Sequence, residues 1–270
     1  MAGDGRGVFS DVAAIFAVVF GDGRRFLRFA GLPGVAAVAL NLAFVVLYPQ
    51  PESQEEMAAW AAEAFPFMTV FWTVWAWAFA RMFVRWCRWG VTGEDAIGFF
   101  TPGFGARELR LLGWSVVMGL ATIPAFLFAG IVISAVTALG GFAGAMVGGE
   151  AGTQGGMALG TLLGLLLGFL PVMMVLGRLG VGLVPVALDR PSALLAAWRA
   201  TEGWAVRLMW LMLLIEASIL VPSLLGGYAG PAGVLVLTAV TAVLSLAVTA
   251  AFAVLVSRVY RETLGAQPGA

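Results

Sequence analysis

The sequence predicts an all-α polytopic integral membrane protein with six transmembrane helices, and three observations predict this class. The chain is 61% hydrophobic and 11% charged, whereas about 25% of the residues in an ordinary soluble domain are charged. Six apolar stretches each approach the roughly 20 residues that cross a bilayer. The segments between them alternate between arginine-bearing and arginine-free, which is typical of a chain threaded through a membrane.

The predicted spans follow one another through a single domain that takes up the whole chain. Their expected limits are about residues 26–47, 64–84, 111–136, 157–177, 208–225 and 234–256. The segment before the first span has no small-residue cleavage site, so we expect it to be retained instead of removed as a signal peptide.

All fifteen basic residues are arginines, and the chain has no histidine. The arginines precede or open the first span, lie between or at the ends of spans two and three, connect spans four and five, or follow span six. The opposite side carries only acids, namely Glu52, Glu55, Glu56, Glu63 and Glu150. The positive-inside rule therefore predicts that both termini lie in the cytoplasm. Arginine without lysine indicates a GC-rich genome and hence a bacterial inner membrane.

Each odd-numbered span is preceded by a short amphipathic segment, a glycine break and an arginine. The segments are residues 9–20, 94–100 and 191–201, and the arginines are Arg28, Arg110 and Arg207. A segment too short to cross the bilayer is typical of an interfacial helix among the lipid headgroups. We therefore expect interfacial elbow helices and a threefold repeat of hairpins. The alternative is that any membrane protein has arginine before a span.

Arginines on these elbows are the candidate contacts for anionic lipids. The six residues are Arg25, Arg28, Arg107, Arg110, Arg199 and Arg207. Each arginine near a membrane surface contributes about 1 kcal/mol of attraction to anionic headgroups. Membrane lipids are therefore expected partners, and no nucleic acid is expected.

Four glycines recur at a strict four-residue spacing in the fourth span. They are Gly156, Gly160, Gly164 and Gly168. Residues four apart share one helix face, so this span presents a groove where another backbone can approach closely. Two interpretations stay open. The groove packs against a span of the same chain, or it forms a homo-oligomer seam or a groove for a lipid acyl chain.

Glu216 is the one ionisable residue deep inside a predicted span. A carboxylate at that depth costs a few kcal/mol unless it is protonated or paired. The expected neighbours are uncharged, with Thr73 and Thr122 at similar depth and Asn41 nearer the outer face. Glu216 is then either a neutral, hydrogen-bonded structural acid or part of a proton or substrate site.

Residue types and motifs that the sequence lacks exclude most enzyme classes. Without histidine, the chain has no histidine general base, no usual haem ligand and no histidine-containing zinc site. Its single cysteine, Cys87, excludes an internal disulfide and a metal site built on several thiolates. The sequence has neither a GxSxG elbow nor a phosphate-binding loop. We therefore expect no catalytic residues, no metal and no cofactor.

Two segments resemble a known group of proteins. One lies within residues 184–215 and contains Ala-Leu-Asp, then Ala-Trp-Arg-Ala-Thr, then Gly-Trp before a new span; the other is Ser-Arg-Val-Tyr-Arg at 257–261. Both resemble a broad group of largely uncharacterised six-span bacterial inner-membrane proteins, related to the membrane domain of some glycerophosphodiester phosphodiesterases. The resemblance implies a helical membrane domain with interfacial elbows and brings no catalytic residues. The phosphodiesterase activity is not implied, because its soluble barrel is absent from this sequence.

These observations favour a non-enzymatic membrane scaffold or accessory protein that organises lipids or a larger membrane complex. Its expected partners are membrane lipids together with another membrane protein or a second copy of the chain. The alternative is a transporter or lipid-translocating protein with a cavity near Glu216.

Overall fold

A computed structural model describes residues 7–49, 51, 53–93, 98–101, 104–226 and 230–265. All regular secondary structure within these ranges is helical. The α-helices are α1 (Val8–Phe20), α2 (Gly23–Leu47), α3 (Gln54–Thr92), α4 (Ala106–Val181), α5 (Val184–Ala187), α6 (Leu194–Ala200), α7 (Ala205–Gly226) and α8 (Pro231–Thr263). A short 3₁₀ turn, Glu202–Trp204, joins α6 to α7.

Four helical stretches in the described ranges are long and apolar enough to cross a membrane. They are Gly23–Leu47, Glu55–Thr92, Ala106–Ala187 and Ala232–Thr263. The first helix, α1, has 13 residues. It is too short for the roughly 30 Å hydrocarbon core, because an α-helix rises only about 1.5 Å per residue. The prediction of an all-helical membrane protein is therefore confirmed.

The longest helical stretch turns back on itself at Gly148 and Gly149. Both have non-helical backbone angles, and Gly149 has a φ of 59°, a region that glycine enters without steric cost. Residues on either side of the break face each other. A Cβ on Gly164 would stand 2.9 Å from Cα of Ile133. The helix α4 is therefore an antiparallel hairpin with a first arm, α4a (106–148), and a second arm, α4b (150–181).

This hairpin corrects the expected limits of two spans. The sequence predicts spans at 111–136 and 157–177, but residues 137–147 and 150–156 are helical as well. The arm α4a is consequently about 60 Å long at 1.5 Å per residue, roughly twice the hydrocarbon thickness. The segment between the predicted spans is rich in alanine and glycine, and these small residues let both arms continue as helices in contact with each other.

The core of the bundle is formed by α3 and α8, which pack against α2 and α7. Small residues on α8 let the neighbouring helices approach closely; the fully buried ones include Ala247, Ala250, Ala251 and Ala253. Phe29 of α2 and Trp86 of α3 are also buried. Their rings meet edge to face with centroids 5.2 Å apart.

Two of the three expected elbows are short helices. One is α1, which precedes α2, and the other is α6, which precedes α7. Most of the third, at 94–100, lies outside the described residues. Ion pairs and packing bring α1, α6, the start of α4 and the ends of α3 and α8 to one end of the bundle. We call this the arginine end.

Candidate functional site

A fully buried arginine lies beside a break in α2. Arg81 of α3 is 0% exposed. Its Nε donates to the carbonyl of Phe29 at 3.0 Å, and its Nη2 donates to the carbonyls of Arg28 at 2.9 Å and Gly98 at 3.0 Å. Nη1 donates to the carbonyl of Thr101. One side chain therefore ties α2 to the segment that precedes α4.

The sequence of α2 explains why those carbonyls are available. The break lies at Gly31, with φ 57° and ψ −161°, so the regular pairing of each carbonyl with the amide four residues later is lost. The amide of Leu32 donates to the carbonyl of Phe99 at 3.3 Å. The carbonyl of Phe29 would regularly pair with residue 33, but Pro33 has no amide proton. Arg81 therefore replaces the two donors that the helix has lost.

A second arginine holds the elbow helix α6. Arg178 of α4b is 8% exposed, and its Cζ lies 3.8 Å from the ring centroid of Trp198. Its guanidinium donates to the carbonyl of Trp198 and, at 3.3 Å, to Oγ1 of Thr201. These acceptors lie at the C-terminal end of α6, where carbonyls have no partner within the helix. Arg178 therefore caps α6 and joins it to α4b.

The elbow helix α1 is held by a buried carboxylate. Asp11 is 2% exposed and accepts hydrogen bonds from both Nε (3.1 Å) and Nη2 of Arg207. Nη1 of Arg258 lies 3.7 Å from its other oxygen. Burial of a carboxylate is costly unless it is paired. Asp11 therefore determines where α1 docks on α7 and α8.

Three arginines converge on Asp189, which follows α5. Nε of Arg107 and Nη2 of Arg110 each donate to its carboxylate at 2.9 Å, and Nη1 of Arg88 lies 3.6 Å away. The hydrogen bond from Arg107, together with the charges of Arg110 and Arg88, holds the pKa of Asp189 below its usual range. The backbone of Asp189 has a φ of 62°, and aspartate is among the residues that tolerate this conformation.

Glu108 lies beside this cluster at the start of α4. It is 4% exposed, and its Oε2 accepts the backbone amide of Gly105 at 2.9 Å. Nη2 of Arg85 lies 3.6 Å from its other oxygen. A carboxylate at this position satisfies an unpaired amide and faces the positive end of the helix dipole.

The six arginines predicted to contact lipid differ in their surroundings. Four are ion-paired within the chain: Arg25 with Asp22, Arg107 and Arg110 with Asp189, and Arg207 with Asp11. The backbone carbonyl of Arg28 accepts from Arg81, and Arg199 is exposed near the end of α6. Arg207 therefore holds the elbow helix α1 to the bundle, and Arg199 presents an exposed side chain to the headgroup layer.

The predicted neighbours of Glu216 use their hydroxyl protons elsewhere. Thr73 donates to the carbonyl of Thr69 and Thr122 to that of Gly119, each at 2.7 Å within its own helix. No described hydrogen bond joins either residue, or Asn41, to Glu216. The acid itself is half-buried on α7. Thr73 and Thr122 therefore do not donate to Glu216 among the described hydrogen bonds, and the polar site around this acid stays a prediction.

The glycine face of the fourth predicted span lies against the same chain. Gly156 and Gly160 face Gly140 across the hairpin, and a Cβ on Gly160 would stand 2.6 Å from the carbonyl oxygen of Val136. A Cβ on Gly168 would stand 2.9 Å from that of Ala129, and the Gly164 contact with Ile133 continues the series. The opposite arm of the hairpin therefore occupies this groove.

Sequence reasoning missed the side chains that organise the arginine end. The sequence placed Arg81 at the end of a span, Arg178 in a connecting segment and Arg258 after the last span, and gave none of them a role. Asp11 was noted only as part of the N-terminal segment. One signal was available for Arg81, because it interrupts a run of aromatic and aliphatic residues where an unpaired arginine would be costly. A signal was available for Asp11 as well. It lies four positions before Ile15 and eight before Val19, so it shares the buried apolar face of α1.

Comparisons with known proteins neither support nor contradict the resemblance noted for residues 184–215. No family model matches this chain, and neither a curated protein nor a solved structure is significantly similar to it.

Proposed function

We propose that this protein is a non-enzymatic scaffold or accessory protein of the bacterial inner membrane, which organises anionic lipids around a membrane complex. The observation that carries this proposal is the character of the elbows. Large apolar side chains are exposed beside arginines there, including Phe9, which is 77% exposed, and Leu195, which is 66% exposed. Such a mixture suits the headgroup layer, where apolar side chains enter the acyl boundary and cations contact phosphates.

The orientation follows from the same distribution of charge. In this proposal the arginine end faces the cytoplasm, with both termini on that side. Six spans then correspond to α2, α3, the two arms of α4, α7 and α8. The outer side carries Glu55 and Glu56 in the first turn of α3, and no arginine.

A threefold relation between the hairpins belongs to this proposal and is supported by three contacts. Arg81 of α3 binds segment 98–101, Arg178 of α4b binds α6, and Arg258 of α8 pairs with Asp11 of α1. In the first two cases, an arginine on an even-numbered span contacts the elbow that follows that span in the sequence. Arg258 lies on the last span and contacts the first elbow, which completes the cycle. Equivalent contacts in equivalent places are what a repeat produces.

The proposal is tested by measuring which lipids surround the protein. The full chain is reconstituted in vesicles of phosphatidylcholine and phosphatidylglycerol, excised with its adjacent lipids by an amphipathic copolymer, and the retained lipids are quantified by mass spectrometry. We expect phosphatidylglycerol to be enriched over the vesicle composition, with less enrichment when ionic strength is raised. Retained lipids of the same composition as the vesicle would contradict the proposal.

A second measurement identifies what is organised. The protein is purified from native membranes in mild detergent, and everything bound at stoichiometric amounts is identified. A fixed protein partner supports an accessory role. The transport alternative is tested by Glu216→Gln, which we expect to leave assembly and lipid enrichment unchanged, whereas loss of a transport activity would favour the alternative. None of the three described cavities is lined by Glu216.

A further inference from the structure

Two neighbouring cavities open at the arginine end, one between α1 and the ends of α3 and α8, and the other between those ends and the segment after α5. One, of about 410 Å³, has Ile15, Val18 and Val254 in its wall. The other, of about 540 Å³, is lined by Arg88, Arg190 and other residues. Both are lined by Val91 and Arg261, so they lie side by side. We call the two cavities together the α1 cleft, and each cavity one half of it.

The two halves of the α1 cleft differ in chemistry. The half beneath α1 is mainly apolar, with Ala14, Ile15, Val18 and Val254 in its wall and Arg258 also among its lining residues. The other half combines guanidinium groups with the hydroxyl of Tyr260, to which Arg190 donates at 3.4 Å. No acid occurs among the described residues that line either half. A molecule that filled the cleft would therefore need an anionic group joined to an apolar chain.

The described lining of the cleft carries positive charge. Arg88, Arg190, Arg258 and Arg261 line it. Among the described ion pairs, Arg88 pairs with Asp189, and Arg258 pairs with Asp11 and Glu262. Asp11 and Asp189 are shared with Arg107, Arg110 and Arg207. A phosphate in the cleft would accept charge-assisted hydrogen bonds from guanidinium groups of this kind.

We propose that the α1 cleft binds a single anionic phospholipid. The phosphate accepts hydrogen bonds from Arg261 and faces the charge of Arg258, while one acyl chain lies along Ile15 and Val18, and all four residues line the same half of the cleft. This inference rests on the proposed function, because it requires the arginine end to lie in the headgroup layer. It adds a defined site to that function, with α1 as the helix that covers the lipid.

Two variants test the charge and the apolar wall of the cleft in turn, each with a matched control. Arg261→Gln removes a charge from the rim, and Arg199→Gln removes an exposed charge that is not in the cleft. Ala14→Trp fills the apolar half, and Ala13→Trp places the same side chain on an exposed neighbouring position of α1. All four positions are exposed. A loss of folding should therefore not distinguish a variant from its control.

Binding is measured by native mass spectrometry of the full chain in detergent, titrated with phosphatidylglycerol or with phosphatidylcholine of the same acyl chains. We expect one phosphatidylglycerol to bind the wild type preferentially, and Arg261→Gln and Ala14→Trp each to weaken that binding about tenfold, the loss expected for one charge-assisted hydrogen bond or one excluded apolar segment. The two controls should bind as the wild type does. Equal effects of variants and controls would overturn the site.

A competition experiment distinguishes a lipid from a soluble anion. Glycerol 3-phosphate should displace phosphatidylglycerol only at much higher concentration, because it cannot use the apolar half. Displacement at equal concentration would show that the cleft takes a free phosphate and overturn the proposal. If the cleft variants bind normally while vesicle enrichment persists, only this inference fails; if enrichment is absent from the wild type, the proposed function fails.

Discussion

The guanidinium of Arg81 occupies the space into which any side chain at Gly31 would project. A Cβ built on Gly31 would stand 2.6 Å from Cζ of Arg81 and 2.8 Å from its Nε. The left-handed backbone of Gly31 and the burial of Arg81 therefore depend on each other. The break in α2 admits the arginine, and the arginine satisfies the carbonyls that the break leaves unpaired.

Gly31→Ala should strongly destabilise the protein. A methyl group there would be strained at φ 57°, at a cost of about 1–3 kcal/mol, and would also displace Arg81 from its acceptors. The matched control is Gly23→Ala, because a Cβ on Gly23 meets nothing within 4 Å. Thermal unfolding in detergent, followed by tryptophan fluorescence, measures both. Equal melting temperatures for the two variants would contradict the dependence between Gly31 and Arg81.

Asp11→Asn should release α1 from the bundle while the rest of the protein stays folded. The change removes the charge that pairs with Arg207 and Arg258, and breaking a buried ion pair costs about 3–5 kcal/mol. Hydrogen exchange at the amides of α1 should accelerate accordingly. Asp22→Asn serves as the control, since this partly exposed aspartate caps α2 through the amide of Arg25 and has no described ion pair with α1. If α1 stays protected in Asp11→Asn, the docking role is wrong.

Asp189→Asn should lower stability near neutral pH by about 1 kcal/mol, a modest effect because the carboxylate is partly exposed. Asparagine keeps the positive φ accessible, so the change tests charge alone. The lowered pKa of Asp189 means that its contribution is complete above the ordinary carboxyl pKa of 3.8 and disappears as pH falls through the folded value. Melting temperatures of the two proteins should therefore converge in acid; a constant difference across pH would exclude the ion-pair explanation.

Gly164→Ala should separate the arms of the α4 hairpin, whereas Gly130→Ala should not. A Cβ on Gly164 would stand 2.9 Å from the backbone of Ile133, while one on Gly130 meets nothing within 4 Å. Both glycines lie within helices, so each substitution stabilises its helix by about 1 kcal/mol through helix propensity. The difference between the two variants therefore measures how closely the arms pack. Disulfide cross-linking between cysteines placed at Ile133 and Leu163 compares the distance between the arms. Equal cross-linking in the two variants would mean that the glycine face does not hold the hairpin.

The sequence by itself determined the class of this protein, because the features that identify a membrane helix are local. Hydrophobic content, span length and the side on which arginine lies can all be read from neighbouring residues. The amphipathic segment that becomes α1 and the four-residue spacing of Gly156–Gly168 were also visible for that reason. The full length of the two helices that form the third and fourth spans was not visible in the same way, because a segment of small residues continues as close helices only where the two helices pack against each other.

Only the tertiary structure decided which charged groups meet. Asp11 and Arg207 are 196 positions apart in the chain, and Arg81 bonds carbonyls 52 and 53 positions away. Such pairs depend on how far each helix is shifted and rotated relative to its neighbours, and no periodicity within one helix records that. The same reason explains why the α1 cleft was not foreseen: its arginines come from α3, the segment after α5 and α8, and become one site only when these ends converge.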